Sequence, residues 1–449
     1  MKLEFHAIQA FAASNLNRDD TGSPKSTVFG GFRRSRISSQ CTKRAARQFV
    51  REHLQANQVD AAELAGLGVR TSRLRDLIVQ RHKEDLAAHW PKGASEEEAF
   101  AEGARGRVGI LLRAAGAALD DQGRTKALIY VGDQEIAMLA RTLDDHWDQL
   151  DPKTALAPKG SKDAAAEEAA GDGGEVDGAS AGDDQAAGTA LGSAATEKKT
   201  AKGAKGKSAD LVLTKSVLAG LRAPLKAAFS HRSMDIALFG RFMADRADLI
   251  VDAACQVAHA VGVSKLELES DYFTAVDDLG DTGAAQHLGA TEFTAPTLYR
   301  YAVVDTDLLL KNLNGDEALA RRAIALFFEA FAVSVPTGKQ NSFAAHNMPG
   351  FVGVVARSKG PMSLANAFEK PLRARPDASL SEQAVAALVK EDEWTAAVYG
   401  MPDRDRWCFV DKTEQWQRGE RAASVASLAS WAAHEAYDTV QAPALATSA

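Results

Sequence analysis

This sequence contains few cysteines. It has no long apolar run and no pattern of an N-terminal leader. Its three cysteines, Cys41, Cys255 and Cys408, form no CxxC pair, which excludes a disulfide framework and a zinc ribbon and is typical of a reducing compartment. No run of about 18 uncharged apolar residues occurs, and the opening MKLEFHAIQA lacks the segments of a signal peptide. With 45% hydrophobic residues in 449, the chain can build two or three domain cores. These features predict a globular cytoplasmic protein with no membrane partner.

The sequence also lacks the common motifs of catalysis. It contains no HExxH, no GxSxG and no GxxxxGK[ST] segment. The pairs Asp19/Asp20 and Asp277/Asp278 are the best candidates for a Mg²⁺ site, but adjacent carboxylates seldom point at one ion and no further ligand stands at a matching spacing. We therefore expect a protein that is not an enzyme, with no catalytic residue, no metal and no cofactor.

Acidic residues are missing from one stretch of an otherwise acidic chain. The formal net charge is -7, which argues against a protein that coats nucleic acid through its overall charge. Residues 21–51 nevertheless contain no Asp or Glu. The basic residues of this stretch are Lys25, Arg33, Arg34, Arg36, Lys43, Arg44, Arg47 and Arg51. Such a local block predicts a site for an anionic partner.

The spacing of these cations favours phosphate as the anion. A helical pattern follows Ser38 and Ser39, whose hydroxyls can cap a helix, and its cations recur at intervals of three or four residues. Like charges at that spacing destabilise a helix by about 0.2–0.5 kcal/mol per pair, which a bound anion would relieve. The arginines before the helix have planar guanidinium groups that suit phosphate oxygens. A solvated charged face, or salt bridges to the protein's own carboxylates, remain alternatives.

Periodicity divides the rest of the chain into helical and mixed parts. Residues 57–150 are predicted to be helical, and residues 151–210, rich in Ala, Gly, Ser and acidic residues and then lysines, are predicted to be a disordered insertion. Buried strands are predicted at 234–240, 299–305 and 351–356, and helices at 211–229, 244–261 and 316–335. A helical domain inserted into an α+β domain is the expected organisation.

A second unusual segment spans residues 269–293, ESDYFTAVDDLGDTGAAQHLGATEF. Large apolar side chains alternate there with Gly, Asp and Thr, which favours an extended hairpin over a packed core element. Apolar side chains on such an arm can stack on bases or wedge between them. The alternative is an ordinary hairpin that closes onto its own domain.

Seven motifs, in this order, carry a resemblance to a known family. They are LNRDD (16–20), FGGFRRSRISSQ followed by TKRA (29–45), MDIALFGR (234–241), YFTAVDDL (272–279), HLGATEF (287–293), YRYA (299–302) and MSLANAFEK (362–370). The chain thereby resembles the CasC backbone subunits of type I-E CRISPR Cascade surveillance complexes over residues 3–375, apart from the insertion.

The resemblance implies an RRM-like (ferredoxin-like) palm with an inserted helical fingers domain and a protruding thumb hairpin. The implied boundaries are palm at 1–56, 229–254 and 298–375, fingers at 57–228 and thumb at 255–297. A helical region is expected at 376–449.

The resemblance also implies the function and the partners. Copies of the chain would polymerise along a CRISPR guide RNA, beside other Cascade subunits, and present the guide to a target DNA strand. Lys25, Ser38, Gln40 and Lys43 would contact the guide backbone with Arg18 and Arg47 nearby, and Arg33, Arg34, Arg36 and Arg44 join them from the basic block. Phe273, Val276 and Leu288 would be thumb wedge residues.

Two positions depart from the family pattern. Phe242 stands where members have a base-separating methionine, and Phe32 replaces a lysine that follows the two glycines.

Two other functions stay open at this point. One is a metal-dependent ribonuclease of the same fold group, and the other is a protein-only scaffold whose basic block serves protein partners.

Overall fold

The computed structural model describes residues 1–56, 66–81, 103–159, 161–165, 211–230, 232–243, 246–276, 285–358, 360–399 and 405–437. Its contacts divide the chain into two compact units. The first contains Met1–Gly68, Arg232–Arg241 and Val251–Ala449, and the second contains Val69–His231 and Phe242–Ile250. No helix in the described ranges has the length and apolarity needed to span a bilayer.

The first unit is built on a nine-stranded mixed sheet. Its strands are β1 (Lys2–Ala10), β2 (Ser26–Phe29), β3 (Phe32–Ile37), β8 (Cys255–Val257), β9 (Ala260–Gly262), β12 (Thr297–Asp305), β13 (Phe351–Arg357), β14 (Arg406–Asp411) and β15 (Glu420–Arg421). The order is β15-β14-β13-β1-β12-β9-β3-β2, and β8 also pairs with β12. β1 is central, antiparallel to both β12 and β13. The expected α+β class is confirmed.

Within the described ranges, seven α-helices belong to the same unit as this sheet. They are α1 (Ser39–Ala56), α7 (Met234–Phe239), α8 (Thr306–Asn312), α9 (Glu317–Val333), α10 (Gln340–Phe343), α11 (Leu380–Tyr399) and α12 (Val425–Glu435). Leu3, Phe5 and Ala7 share one core with α1, α9 and α12, where the Phe5 ring lies 4.5 Å from that of Phe331. Ile8 shares another core with β13, β14 and α11. Strand β1 is buried over nearly its whole length because both of its faces are covered.

A buried ionic network joins β1 to the C-terminal part of the first unit. The guanidinium of Arg357, 1% exposed, lies 2.8 Å from the Glu4 carboxylate and 2.9 Å from that of Asp405. Asp392 of α11, 3.8 Å from Arg357, also pairs with Arg418 at 2.6 Å. Isolated buried charges are unfavourable, so these groups fix the C-terminal segment in one register against the sheet.

The second unit has its own core. It contains β4 (Gly68–Thr71, whose first residue belongs to the first unit), β5 (Ile129–Gly132), β6 (Leu156–Pro158) and β7 (Leu211–Leu213), in two small sheets. Its helices are α2 (Leu74–Arg81), α3 (Arg105–Ala114), α4 (Asp133–Asp145), α5 (Pro152–Ala155) and α6 (Lys215–Ala228). Their apolar faces meet in one cluster around Leu111, Leu139 and Leu221. Within the described ranges the helices of this unit contain more residues than its strands, and residues 57–65 and 82–102 of the predicted helical part lie outside the described residues.

Strands β10 (Glu269–Val276) and β11 (Ala285–Phe293) form a separate antiparallel hairpin of the first unit. Residues 269–274 of the hairpin are exposed, whereas residues 291–293 of its second strand are half-buried. Residues 277–284 lie outside the described residues.

Three secondary-structure predictions are wrong. The expected strand at 234–240 is the helix α7, because a short apolar run has no period that separates the two structures. The expected helix at 244–261 contains the 3₁₀ turn Ala247–Leu249 and the strands β8 and β9. The region 376–449 is not wholly helical, since β14 and β15 extend the sheet edge and Trp407 lies within β14.

The first residues of the insertion predicted at 151–210 are ordered. Asp151 caps the short helix α5, and β6 pairs with β7, so residues 151–158 are ordered parts of the second unit. Residues 166–210 lie outside the described residues. Composition did not reveal the ordered start because one capped turn and one strand pair need few large apolar side chains.

Replacing Arg357 by Ala tests the buried network. The variant leaves the Glu4 and Asp405 carboxylates buried without their cation, and we expect a loss of about 3–5 kcal/mol in the free energy of unfolding. Urea denaturation measures it. The control is Gln48→Ala, which removes an exposed hydrogen bond to Glu52 and is expected to cost less than about 0.5 kcal/mol. Equal losses in the two variants would contradict a stabilising role for the network.

Candidate nucleic-acid interface

The basic stretch folds as a tight hairpin followed by a helix. Strands β2 and β3 pair from Ser26–Ser35 to Phe29–Phe32, and Gly30 and Gly31 form the turn with φ of 58° and 79°. Two consecutive positive φ values are typical of the two-residue hairpin turn that matches strand twist. A Cβ at Gly30 would also lie 1.8 Å from the Glu369 carbonyl oxygen. Glycine is therefore required at this position for its conformation and for lack of space.

Arg34 is the internal anchor of the hairpin. Its side chain is fully buried, and its guanidinium donates hydrogen bonds to the carbonyls of Gly262 at 2.9 Å, Phe368 at 2.9 Å and Glu369 at 3.1 Å. Burial lowers the pKa of Arg34. The structure does not support the predicted contact of Arg34 with RNA. Backbone carbonyls of the protein accept from this guanidinium, and no solvent reaches it.

The start of α1 is capped as expected and held by the preceding loop. The Ser38 hydroxyl accepts a hydrogen bond from the Cys41 N–H at 3.3 Å, while the Ser38 N–H donates to Asn17 Oδ1 at 2.9 Å. The Lys25 N–H donates to the Asn17 carbonyl, and the Arg36 N–H to the Lys25 carbonyl. Ser38 is buried, so its hydroxyl serves the helix first, while Gln40 in the first turn is exposed.

The cations of α1 divide into two groups. Arg47 lies 3.5 Å from the Asp235 carboxylate, and Arg51 donates to the Gly68 carbonyl at 2.7 Å. These two arginines therefore have protein partners, and Arg47 is less available to a phosphate than the sequence predicted. Lys43 Nζ lies 5.6 Å from the ring centre of Phe239, a cation–π contact that leaves its charge uncompensated. Arg44 is exposed.

Four cations near the helix start have no carboxylate partner. Within the described ranges, no Asp or Glu oxygen lies within 4 Å of the charged groups of Lys25, Arg33, Arg36 or Lys43. Arg33 is exposed and donates to the Ser26 hydroxyl at 3.1 Å. Arg18, in the loop before β2, is also exposed and has no such partner. Within the described ranges these side chains therefore form no salt bridge to a carboxylate of the protein, which was one of the alternatives.

His259 joins this group, although nothing in the sequence marked it. Its Nδ1 lies 2.8 Å from Arg36 Nη1, and its pKa is lowered by burial and then by the charges of Arg36 and Lys25. The signal that could have found it is the pairing of β3 with β9, which brings Ile37 opposite Ala260. That pairing depends on residues far apart in the chain.

Phe32, which replaces the lysine of the family pattern, is in contact with a lysine from another part of the chain. Lys265 Nζ lies 4.3 Å from the ring centre of Phe32, and the Leu266 N–H donates to the Arg33 carbonyl at 2.9 Å. Both side chains are exposed. A cation from elsewhere in the chain therefore sits over the position where the family pattern has a lysine.

The predicted wedge residues lie on the hairpin β10–β11 or outside the described side chains. Phe273 is 44% exposed and opposes Gly289, where an added Cβ would lie 2.4 Å from the phenyl ring. Glycine there leaves room for the ring to cover the partner strand. The side chains of Val276 and Leu288 lie outside the described residues. Phe242 is 73% exposed and belongs to the second unit.

The acidic candidates for metal chemistry have other contacts. The Asp19 carboxylate accepts hydrogen bonds from the Thr21 hydroxyl at 2.7 Å and from the N–H groups of Thr21 and Ser23 at 3.0 Å, which lower its pKa. Asp277 and Asp278 lie outside the described residues. In the described ranges no group of three or more His, Cys, Asp or Glu residues is arranged to hold a metal ion.

Comparison with known proteins adds a family to this geometry. The model of the CT1975-like protein family matches residues 3–433, nearly the whole chain. The chain belongs to the CT1975-like protein family. Among curated proteins no sequence matches it.

Two solved structures are similar to this CT1975-like protein. A chain of a "CRISPR RNA-guided surveillance complex, pre-nicking" is 32% identical, with a TM-score of 0.69 over 97% of this chain and 100% of that one. A chain of a "CRISPR RNA-guided surveillance complex" is 23% identical, with a TM-score of 0.52 over the same shares, and this likeness supports the fold alone. The CRISPR resemblance seen in the motifs is confirmed at this level, while the subtype stays a prediction.

Two neighbouring arginines of this CT1975-like protein are expected to differ in how much they contribute to stability. Arg34→Ala leaves three carbonyls without their donor, two of them in buried hydrogen bonds, and we expect a loss on the order of 3 kcal/mol in the free energy of unfolding. Arg33→Ala removes an exposed side chain and is expected to change stability by less than about 0.5 kcal/mol. Thermal unfolding of both variants measures the difference. A wild-type melting temperature for Arg34→Ala would show that the hairpin does not need this anchor.

Proposed function

We propose that this CT1975-like protein is a CasC-type backbone subunit of a type I-E CRISPR Cascade complex. It binds the guide RNA along its phosphates, polymerises with further copies of itself and presents the guide for pairing with a target DNA strand. Other Cascade subunits complete the assembly. The family membership and the similarity to a chain of an RNA-guided complex support this proposal.

The observation that carries the proposal is the group of unpaired cations around the start of α1. Among the residues that the structure describes, Lys25, Arg33, Arg36 and Lys43 have no carboxylate partner, although the chain has more acidic than basic residues. Mutual repulsion between such cations is unfavourable in the free protein and is relieved when an anion binds. Burial is the larger cause of the lowered pKa of His259, and the charges of Arg36 and Lys25 lower it further. A phosphate backbone supplies anions at regular spacing, so a nucleic acid is the partner that fits best.

Contacts to phosphates hold a strand without reading its sequence. Lysine and arginine side chains position the sugar-phosphate backbone, whereas base edges carry the sequence information. The bases of the guide are then free to pair with the target, and pairing rather than protein contact selects the DNA. On the hairpin β10–β11, the exposed rings of Tyr272 and Phe273 suit stacking on bases at intervals along the strand. In this proposal the hairpin is the thumb and the sheet is the RRM-like palm.

No observation on the described residues favours the two other functions. A ribonuclease would need a carboxylate free to bind a metal ion, and Asp19 is hydrogen-bonded within its own turn. A protein-only scaffold would pair its basic residues with acidic partners. Such a scaffold would not bind RNA, and its binding to the acidic protein partner would be insensitive to added RNA.

Salt dependence tests the placement of the phosphates. We expect Lys25→Ala with Lys43→Ala to weaken RNA binding and to lower the slope of log affinity against log salt by about 1.4, since each single-strand phosphate contact contributes about 0.7. Fluorescence anisotropy of a labelled single-stranded RNA at several KCl concentrations measures both. Lys390→Ala, an exposed lysine of α11, is the control and should leave the slope unchanged. A wild-type slope in the double variant, with RNA still bound, rules out this placement.

Moving one charge tests the contact between Lys265 and Phe32. Lys265→Ala is expected to lower RNA affinity roughly three- to tenfold, as the loss of one charged contact does. Adding Phe32→Lys to that variant should restore most of the affinity, because the new ammonium starts from the position that Lys265 now covers. The same anisotropy measurement compares the three proteins. If the second substitution restores nothing, Lys265 does not act at this position.

A further inference from the structure

A second acid-free stretch lies in the C-terminal half of the chain. Residues 330–368 contain no Asp or Glu, which is a longer interval than the basic block at 21–51. Its exposed part is the loop 336–347, PTGKQNSFAAHN, between α9 and β13. Thr337, Asn341, Ser342, His346 and Asn347 are exposed there, and Lys339 is half-buried with no carboxylate partner in the described ranges.

A small apolar core fastens this loop beside the start of α1. Ala345 is 2% exposed and packs in one cluster with Leu16, Ile37 and Ala260, against which Cys41 of α1 also packs. Ile37 ends β3 and Cys41 lies in the first turn of α1. The loop and the capped helix start are therefore attached to the same core.

Further contacts fix the loop to the segment that precedes β2. An added Cβ at Gly338 would lie 2.3 Å from the Leu16 carbonyl oxygen, so the two backbones touch directly. The Asn347 carbonyl accepts a hydrogen bond from the Gln9 side chain at 2.6 Å. The Phe343 ring lies 5.6 Å from that of Phe293 at the base of the hairpin β10–β11. The loop thus stands where the N-terminal segment, α1 and the hairpin meet.

The internal structure of the loop is specific. Gln340 Nε2 donates to the carbonyls of Pro336 at 3.1 Å and Ala345 at 3.2 Å, closing the loop. Lys339 and Ala344 have positive φ values of 51° and 46°, although neither is glycine or asparagine. Backbone strain of this kind persists where surrounding contacts hold it, and it recurs at binding sites.

We propose that loop 336–347 is a second contact for the RNA strand held at α1. Lys339 pairs with a phosphate, and the side chains of Asn341 and Ser342 hydrogen-bond ribose 2′-hydroxyls. The chemistry of the loop fits ribose, because amide and hydroxyl side chains both donate and accept, and the 2′-hydroxyl does the same. The absence of carboxylates over the whole stretch fits a phosphate backbone. This proposal rests on the proposed function and names additional contacts for it.

The strained backbone at Lys339 provides a variant that separates binding from folding. Lys339→Gly removes the ammonium and places at φ 51° the residue that adopts positive φ most readily, so its melting temperature is expected to equal or exceed that of the wild type. Lys339→Arg keeps the charge. Asn314→Gly, at φ 56° in the same unit, changes a positive-φ residue without changing charge and is the backbone control.

Anisotropy with a single-stranded RNA of about 16 nucleotides, within ordinary single-strand site sizes, measures the effect. We expect Lys339→Gly to lower the salt slope by about 0.7 and the affinity roughly three- to tenfold, with both near wild type in Lys339→Arg and Asn314→Gly. Unchanged binding in Lys339→Gly, while the wild type binds RNA, overturns the loop contact and leaves the proposed function standing. Failure of the wild type to bind RNA overturns both.

The ribose assignment has its own test. Asn341→Ala with Ser342→Ala is expected to weaken binding to the RNA more than to a single-stranded DNA of the same sequence, because the DNA lacks the 2′-hydroxyl. Equal losses on RNA and DNA, or no loss on either, overturn the ribose contact.

Discussion

The buried guanidinium of Arg34 is the contact on which the candidate interface depends. It joins β3 to carbonyls of Gly262, Phe368 and Glu369, which come from two distant parts of the chain. Burying a cation is unfavourable unless its donors are satisfied, and three carbonyl oxygens accept from it here. One positive charge is thus used inside the protein to hold a strand on which Arg33 is exposed and Arg36 is half-buried. A hairpin without this anchor would have only its turn and its neighbouring strand to fix those cations.

The remaining cations of the basic block have different physical roles because they meet different surroundings. Arg47 and Arg51 have protein partners, whereas Lys25, Arg33, Arg36 and Lys43 have no carboxylate nearby in the described ranges. In the proposed function, repulsion among the second group is relieved when an anion binds. Burial lowers the pKa of His259 most, and the charges of Arg36 and Lys25 add to that shift. Local charge therefore has more influence on the partner of this protein than its net charge does.

The rest of the first unit provides a rigid base for these side chains. Strand β1 is covered on both faces, and the Arg357 network fixes the C-terminal segment against it. Packing of this kind leaves few alternative arrangements of the sheet. The small core around Leu16, Ile37 and Ala345 then holds three separate loops beside α1. Chain segments that are far apart in sequence thus meet at one small core beside α1.

The sequence by itself determined the α+β class, the capped helix after Ser38 and the acid-free block, because local patterns of charge, capping and apolar spacing are read over a few residues. The family motifs were equally visible in it. Only the tertiary structure decided that Arg34 is internal while Arg33 is exposed, since burial depends on what packs against β3. Likewise, strand pairing and packing between distant segments place His259 beside Arg36, Lys265 over Phe32 and loop 336–347 beside Leu16. Short apolar runs such as 234–240 were misjudged because a helix and a strand of that length bury the same residues.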